Sequence, residues 1–274
     1  MGTIDNFLST FGASPEVPNP HESLDNLVER PGALEAFVAD FGGATESYWF
    51  YDHTVEIRFD KKEHQYFLVE ELGNLTPLLN VSTVSHIVDR SMALIPWTAK
   101  VTIEKLLRTI PTQVQGAEIV VPEMSLAGFT ELAMQAKSAH RDALESAGNI
   151  GHAAHAWIEQ HIKCLISGET NVTAMPEDER AKNCCLAALA WIKAHNVRFL
   201  CTERKVYSKE HQVSGTLDGM AWTDSCEDKT CCQGHYKDHL SLIDWKSANY
   251  LYTEFLYQSA AYLGFILEEL RHLG

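Results

Sequence analysis

Leu240-Ser241-Leu242-Ile243-Asp244-Trp245-Lys246 is an apolar run that ends in a carboxylate and an ammonium two residues apart. In an extended strand successive side chains point to opposite faces, so Asp244 and Lys246 project from the same side. A second acid, Asp218, stands inside the strand-like stretch from Gly215 to Trp222. Both acids are set among apolar residues, and a buried carboxylate is costly unless it is paired or coordinates a metal. Taken alone, Asp-x-Lys also describes an ordinary solvated strand face; the apolar setting of both acids is what points to chemistry. Two carboxylates and a lysine are the inventory for hydrolysing a phosphodiester. The acids hold a cation that neutralises the non-bridging oxygens, and the lysine steadies the attacking water or the developing charge. Mg²⁺ keeps several waters and takes one or two protein carboxylates, which matches Asp218 and Asp244, and Mn²⁺ serves the same oxygen donors.

Working outward, Phe255, Tyr262, Phe265, Ile266 and Leu270 recur at helical spacing and predict an amphipathic helix over 249–270. Gln258 and Tyr262, four apart, share one of its faces. Upstream, Gly151 to Glu159 opens another predicted helix, with His155 and Glu159 on one face. Between that helix and Asp218 lies a strand-like run, Cys201 to Ser208, that contains Glu203.

The order Gly-x-x-x-His-x-x-x-Glu, Glu, Gly-Thr-x-Asp-Gly, Asp-x-Lys, Gln-x-x-x-Tyr resembles the RecB-type branch of the PD-(D/E)XK nucleases. Within that branch it is most similar to phage exonucleases related to the mitochondrial genome maintenance exonuclease. Val81-Ser-Thr-Val-Ser-His-Ile-Val88 followed by Leu94-Ile-Pro-Trp97 is similar to a further pattern of those proteins, and the likeness runs over about residues 55 to 270. The resemblance implies that Asp218 and Asp244 are metal-binding acids, with His155 beside them as a metal-site histidine, and that Lys246 is the catalytic lysine. It implies that Glu203 is a ligand or an organiser of the site, and that Gln258 and Tyr262 contact the nucleic acid strand.

The fold implied is α/β (α+β), a restriction-endonuclease-like core in which a central mixed β-sheet is flanked by helices, with a mainly helical N-terminal elaboration. The family core commonly ends in a further strand after the Gln-x-x-x-Tyr helix, whereas here Gly274 follows shortly after Leu270. The domains expected are a lead-in with short helices, 1–54, and a nuclease-like domain, 55–274, whose core begins at about 145. The function implied is a Mg²⁺- or Mn²⁺-dependent DNA exonuclease, phage-encoded, acting on single strands or free ends in recombination, replication or DNA degradation, alongside phage recombination or replication proteins. The alternatives are a noncatalytic DNA-end binder or assembly partner with the same fold, and an endonuclease of the same superfamily.

At 274 residues and 45% apolar, the chain has enough material for one substantial core and an N-terminal elaboration. Its net charge of −15 excludes a broadly basic nucleic-acid surface, so DNA binding is expected to be local and metal-assisted. Lys246, Lys205, Arg204, Lys100 and Lys105 are the candidates for a short positive path. No run approaches bilayer length and no signal-peptide pattern opens the chain, which predicts a cytoplasmic protein, in the host cytoplasm if phage-encoded, with no membrane partner.

Seven cysteines, an odd number, suit a reducing compartment. Cys164, Cys184, Cys185 and Cys201 fall in apolar patterns and read as packing residues. Cys226, Cys231, Cys232 and His235 lie instead in a polar insertion, 223–239, between the two acid-bearing strands, and are an inventory for structural Zn²⁺. Their spacing matches no defined zinc module, and a flexible hairpin tip with incidental cysteines is the competing reading. His152 and His161 read as structural. Two short helices are expected within 23–41, a β-hairpin from Val55–Phe59 and Gln65–Val69, and helices over 81–107 and 129–147 joined by a Pro-bounded loop, 111–122.

Overall fold

The computed structural model describes residues 46–85, 91–115, 118–121, 123–169, 173–228, 231, 236–248 and 250–273. The helices expected within 23–41 lie outside them. Four strands come first, β1 (Ser47–Phe50), β2 (Val55–Asp60), β3 (Gln65–Val69) and β4 (Leu75–Asn80), paired as an antiparallel meander. The expected hairpin is β2–β3. Its turn closes because Asp60 Oδ1 accepts from the backbone amides of Lys62 and Glu63 at 2.8 and 3.0 Å, an Asx-type turn. The pairing of β1 with β2 places residues 47–50 in the sheet, ahead of the domain boundary expected at 55.

Next come α1 (Val81–Ser85), α2 (Ser91–Thr109), β5 (Gln113–Gln115), β6 (Glu118–Val120), α3 (Leu126–Ala136), α4 (Ala139–Ser167) and α5 (Glu179–Ala194). The Pro-bounded loop thus holds a two-stranded β5–β6 ribbon, a correction to the plain loop expected there. The caps are local chemistry. Asp178 begins α5 by accepting from the amides of Arg180 and Ala181, which satisfies two donors that the helix itself leaves open. Gly168 ends α4 at φ 73°, a left-handed geometry that favours glycine.

The last elements are β7 (Arg198–Ser208), β8 (Val213–Thr223), β9 (His239–Ile243) and α6 (Thr253–Leu273). β7, β8 and β9 form an antiparallel meander, and β4 joins β8 in parallel to give a mixed seven-stranded sheet. Along one edge β8 meets β7 over nearly its whole length. On the other edge β4 pairs only with Val213 and Ser214, while β9 pairs from Gly219 to Thr223. Residues 215–218 therefore lie at a fork where β4 and β9 diverge, and Asp218 is the last residue of that gap.

Helices cover the sheet on both sides. α6 lays Tyr262, Phe265, Ile266 and Leu270 against Val206, Leu217, Met220 and Leu240. On the opposite face Trp157, Ile158 and Ile162 of α4 pack with Cys185 and Ala188 of α5, and Phe199 and Trp245 join them. The expected packing role of the buried cysteines is seen in Cys164, Cys185 and Cys201. A third cluster, Phe50, Ile57, Phe59, Tyr66 and Leu78 with Tyr207, joins the N-terminal meander to β7. Tyr51 reinforces that join by donating its hydroxyl to Glu268 of α6 at 2.6 Å, and Glu268 also accepts from the amides of Lys209 and Glu210 in the β7–β8 turn.

The sheet changes phase beside Asp218. Cys201 and Val206 share the α6-side core although they are an odd number of residues apart, as do Leu217 and Met220. Strict alternation forbids this, so each strand switches face between those positions. On β7 the switch coincides with Glu203, whose φ of 51° lies in the left-handed region, where a non-glycine residue carries about 1–3 kcal/mol of strain. Glu203 falls between the Thr202↔Gly219 and Arg204↔Leu217 pairs, opposite Asp218.

Candidate active site

Asp244 and Lys246 stand just past the end of β9, not within it, yet the alternation of the strand carries through them. Lys246 Nζ meets Asp244 Oδ2 at 2.6 Å, while Trp245 between them turns to the opposite face and meets Trp191 of α5 edge to face at 5.7 Å. Asp244 is nearly buried. The Trp245 amide donates to Asp218 Oδ2 at 2.7 Å, which ties the segment after β9 back to the fork.

α6 supplies the next layer. Gln258 Oε1 accepts from Lys246 Nζ at 3.1 Å, and Gln258 Nε2 donates to the Tyr262 hydroxyl at 3.0 Å. The i, i+4 pair read in the sequence is thus one relay that holds the lysine. Phe255, a turn earlier, puts its ring 5.1 Å beneath Nζ. Tyr262 is buried, and burial raises its phenol far above the ordinary value, so it works as a fixed hydrogen-bonding group. On β8 its ring lies against Gly215. A Cβ there would lie 2.6 Å from Tyr262 Cε1 and 3.2 Å from Val81 Cγ2. Gly215→Ala is expected to push Tyr262 off Gln258 and to lower stability by about 1–3 kcal/mol in a urea titration; an unchanged midpoint would show that the ring has room to move.

α4 brings His155 to the other side of Asp218, with Nδ1 3.7 Å from Oδ2. That is too long for a hydrogen bond. Burial, and then Lys246, hold the imidazole below its usual pKa, so it is neutral near pH 7, the form that ligates metals. Asp218 is pushed up to about 7, first by burial and then by the charge of Asp244. Glu203 is also raised, by burial above all, with Lys205 opposing the shift from 3.9 Å. Lys205 is itself buried against the rings of Phe59 and Tyr48, and burial lowers its pKa.

A cleft of about 480 Å³ opens at the fork, lined among others by His155, Glu203, Lys205, Thr216, Asp218, Gln258 and Tyr262. Lys246 lines an adjoining hollow of similar volume against α5, and His155 and Ser247 border both. All seven proposed site residues thus come together around Asp218 of β8, although 107 positions separate His155 from Tyr262 in sequence. Among the described residues the three acids and the histidine do not draw three ligand atoms into one tight cluster. An ion that takes one or two carboxylates and completes its shell with water and phosphate does not require that they do.

The positive path is shorter than expected. Arg204 lies on the α6 face, buried with Glu269 at 3.8 Å, and cannot reach the cleft. Lys100 is exposed and faces Glu104 at 3.9 Å. Sequence reasoning missed Thr216 and Tyr66, whose hydroxyls meet at 2.5 Å beside the cleft, and Ser247, which approaches Gly151 closely. Thr216 sits within the Gly-Thr-x-Asp motif and was open to discovery there; nothing in the sequence connects Tyr66 to it.

Of the expected zinc ligands, Cys232 and His235 lie outside the described residues. Cys226 and Cys231 are brought together with a residue the sequence did not suggest, His195 at the C-terminus of α5. No helix among the described residues is long and apolar enough to cross a membrane. No protein-family model, curated protein or solved structure matches the chain.

Proposed function

We propose that the cleft is the active site of a Mg²⁺- or Mn²⁺-dependent deoxyribonuclease that hydrolyses phosphodiester bonds at free ends or in single strands. The observation that carries this reading is a pair of nearly buried carboxylates, Asp218 and Asp244, that repel each other beside the fork in the sheet, with Lys246 clamped beside them by Gln258. On this reading β7–β9 with α4 and α6 form the restriction-endonuclease-like core expected from the motif order.

The donor set fits a hard cation. Asp218 spends one oxygen on the Trp245 amide and Asp244 spends one on Lys246, which leaves each acid a second oxygen. Neutral His155 stands beside them as a further donor. A divalent ion held there would supply charge neutralisation at the phosphate. Lys246 has three N–H groups; Asp244 and Gln258 engage two, and the third donates to the attacking water or a phosphoryl oxygen. Gln258, held in turn by Tyr262, keeps the ammonium in place, and both line the cleft in which a strand would lie. Glu203 and Lys205 also line the cleft, and because they face each other at 3.9 Å their charges largely offset, which leaves the two aspartates as the charge a cation must neutralise.

One consequence concerns pH. Because the carboxyl of Asp218 in the metal-free protein is held near 7, protons compete with the cation below that value. Calorimetric titration with Mg²⁺ is expected to give weaker binding at about pH 6 than at about pH 8 in native protein, and Asp218→Asn is expected to flatten the dependence. Equal affinity at both pH values would place the cation elsewhere.

A further inference from the structure

We propose that His195, Cys226 and Cys231 form a zinc site, separate from the cleft and independent of the nuclease reading, that staples the C-terminus of α5 to the root of the β8–β9 insertion. Their ligand atoms all lie within 4.8 Å of one another. Cys231 Sγ stands 3.5 Å from His195 Nε2. Tetrahedral zinc, with Zn–S of about 2.3 Å and Zn–N of about 2.0–2.1 Å, sets the S···N edge at about 3.6 Å. An S–H···N hydrogen bond would account for that pair alone, but not for a third soft donor, Cys226, at the same point.

The histidine is prepared for the task. Its Nδ1 lies 2.9 Å from the Asp224 carbonyl, which can only accept, so the proton is on Nδ1 and the lone pair on Nε2 faces the cysteines. A backbone carbonyl holding the far nitrogen of a metal-binding histidine is the usual outer support of such sites. His195 is buried, and the Asp224 amide donates back to the His195 carbonyl at 2.8 Å, so both the ring and the backbone of His195 are tied to Asp224. The insertion is pinned at its root by Ser225 and Tyr236, whose amides bond Tyr236 O and Ser225 Oγ, and by Asp224, which accepts from Asn196 and from the Asp238 amide. Cys231 is exposed and Cys226 is half-buried, which gives a metal a route in. Two thiolates and an imidazole select zinc over the Mg²⁺ and Mn²⁺ that suit the cleft's carboxylates. The fourth position is left to a further donor or water.

The staple bears on the cleft through packing. The ring of His195 lies 4.7 Å from that of Trp191, and Trp191 meets Trp245, whose amide holds Asp218. A metal at His195 therefore braces the wall against which the segment after β9 rests.

The test is titration of the reduced, chelator-treated full chain with Co²⁺ and Zn²⁺. The proposal predicts one equivalent of Co²⁺ with thiolate-to-cobalt charge-transfer absorption and the strong visible bands of a tetrahedral site, displaced by Zn²⁺ with a rise in Tm. Cys231→Ser, at an exposed position, is expected to fold and to lose at least about 100-fold in affinity. Cys226→Ser is expected to behave alike, and Asp218→Asn to keep the spectrum. A native chain with no thiolate–cobalt band, a Cys226–Cys231 disulfide in protein purified from reducing cytoplasm, or an unaltered spectrum in Cys231→Ser would each overturn it. Loss of the band in Asp218→Asn would overturn its separation from the cleft.

Discussion

Lys246→Ala is expected to reduce metal-dependent DNA cleavage by on the order of 10²–10³-fold, the scale on which a single preorganised donor to a developing charge acts. The lysine side chain is 23% exposed and lines an open hollow rather than the core, so circular dichroism and, with Mg²⁺ present to replace the lost charge beside Asp244, the urea midpoint should stay close to native. Its loss also removes a positive charge from beside Asp244, which makes the carboxylate pair a stronger cation site. The variant is therefore expected to bind Mg²⁺ at least as tightly as the native chain while cutting far more slowly. That split separates a catalytic lysine from one that only neutralises the acids. A fully active variant would remove Lys246 from the chemistry; weakened Mg²⁺ binding would mean that it organises the acids instead.

Arg204→Leu should have the largest effect on stability. Arg204 and Glu269 are both buried, and among the described residues Glu269 keeps a carboxylate oxygen without a hydrogen-bond partner, so its charge rests on the guanidinium first and then on a backbone hydrogen bond from Tyr51. Removing one partner of such a pair costs about 3–5 kcal/mol, whereas replacing both by apolar groups is often nearly neutral. Glu269 is pushed up to about 7 by burial, with Arg204 opposing the shift. The sign of the pH effect follows. Its folded pKa lies above the ordinary 4.5, so the folded protein binds the proton more tightly, and stability falls as pH rises from the ordinary value towards the folded one. Without Arg204 that window extends upward. Chemical denaturation should therefore find Arg204→Leu more destabilised at about pH 8 than at about pH 5, with the Arg204→Leu, Glu269→Leu double variant recovering most of the loss. A double variant no better than the single one would show that the arginine acts by packing, for instance over the Phe50 ring at 5.7 Å.

What the sequence disclosed follows from how far each signal reaches. The β2–β3 hairpin, β7, β8, β9 and α6 were legible because each announces itself by local alternation, turn chemistry or helical period. The Gln258–Tyr262 pairing is likewise a property of one helix. The ribbon of β5 and β6 was not, since three-residue strands carry too little pattern to stand out from a loop. The fork was illegible for a different reason. It arises because β4 and β9 share one edge of β8, a non-local pairing that no window of sequence contains. Arg204 shows the same limit. Adjacent to Lys205 in sequence, it faces the opposite side of the sheet, and the phase change at Glu203 decides which of the two reaches the cleft. His195 was missed because it stands 31 residues before Cys226 and the β7–β8 hairpin folds between them.

The central claim, that Asp218, Asp244 and Lys246 form a metal-dependent nuclease centre, is tested most directly by incubating end-labelled linear and circular DNA, single- and double-stranded, with the native chain and with Asp244→Ala. Mg²⁺, Mn²⁺ and EDTA would be compared in parallel. The account predicts loss of linear but not circular DNA in either metal, none in EDTA, and none with Asp244→Ala. Folded native protein that leaves every substrate intact, or Asp244→Ala that cuts as the native chain does, would contradict it.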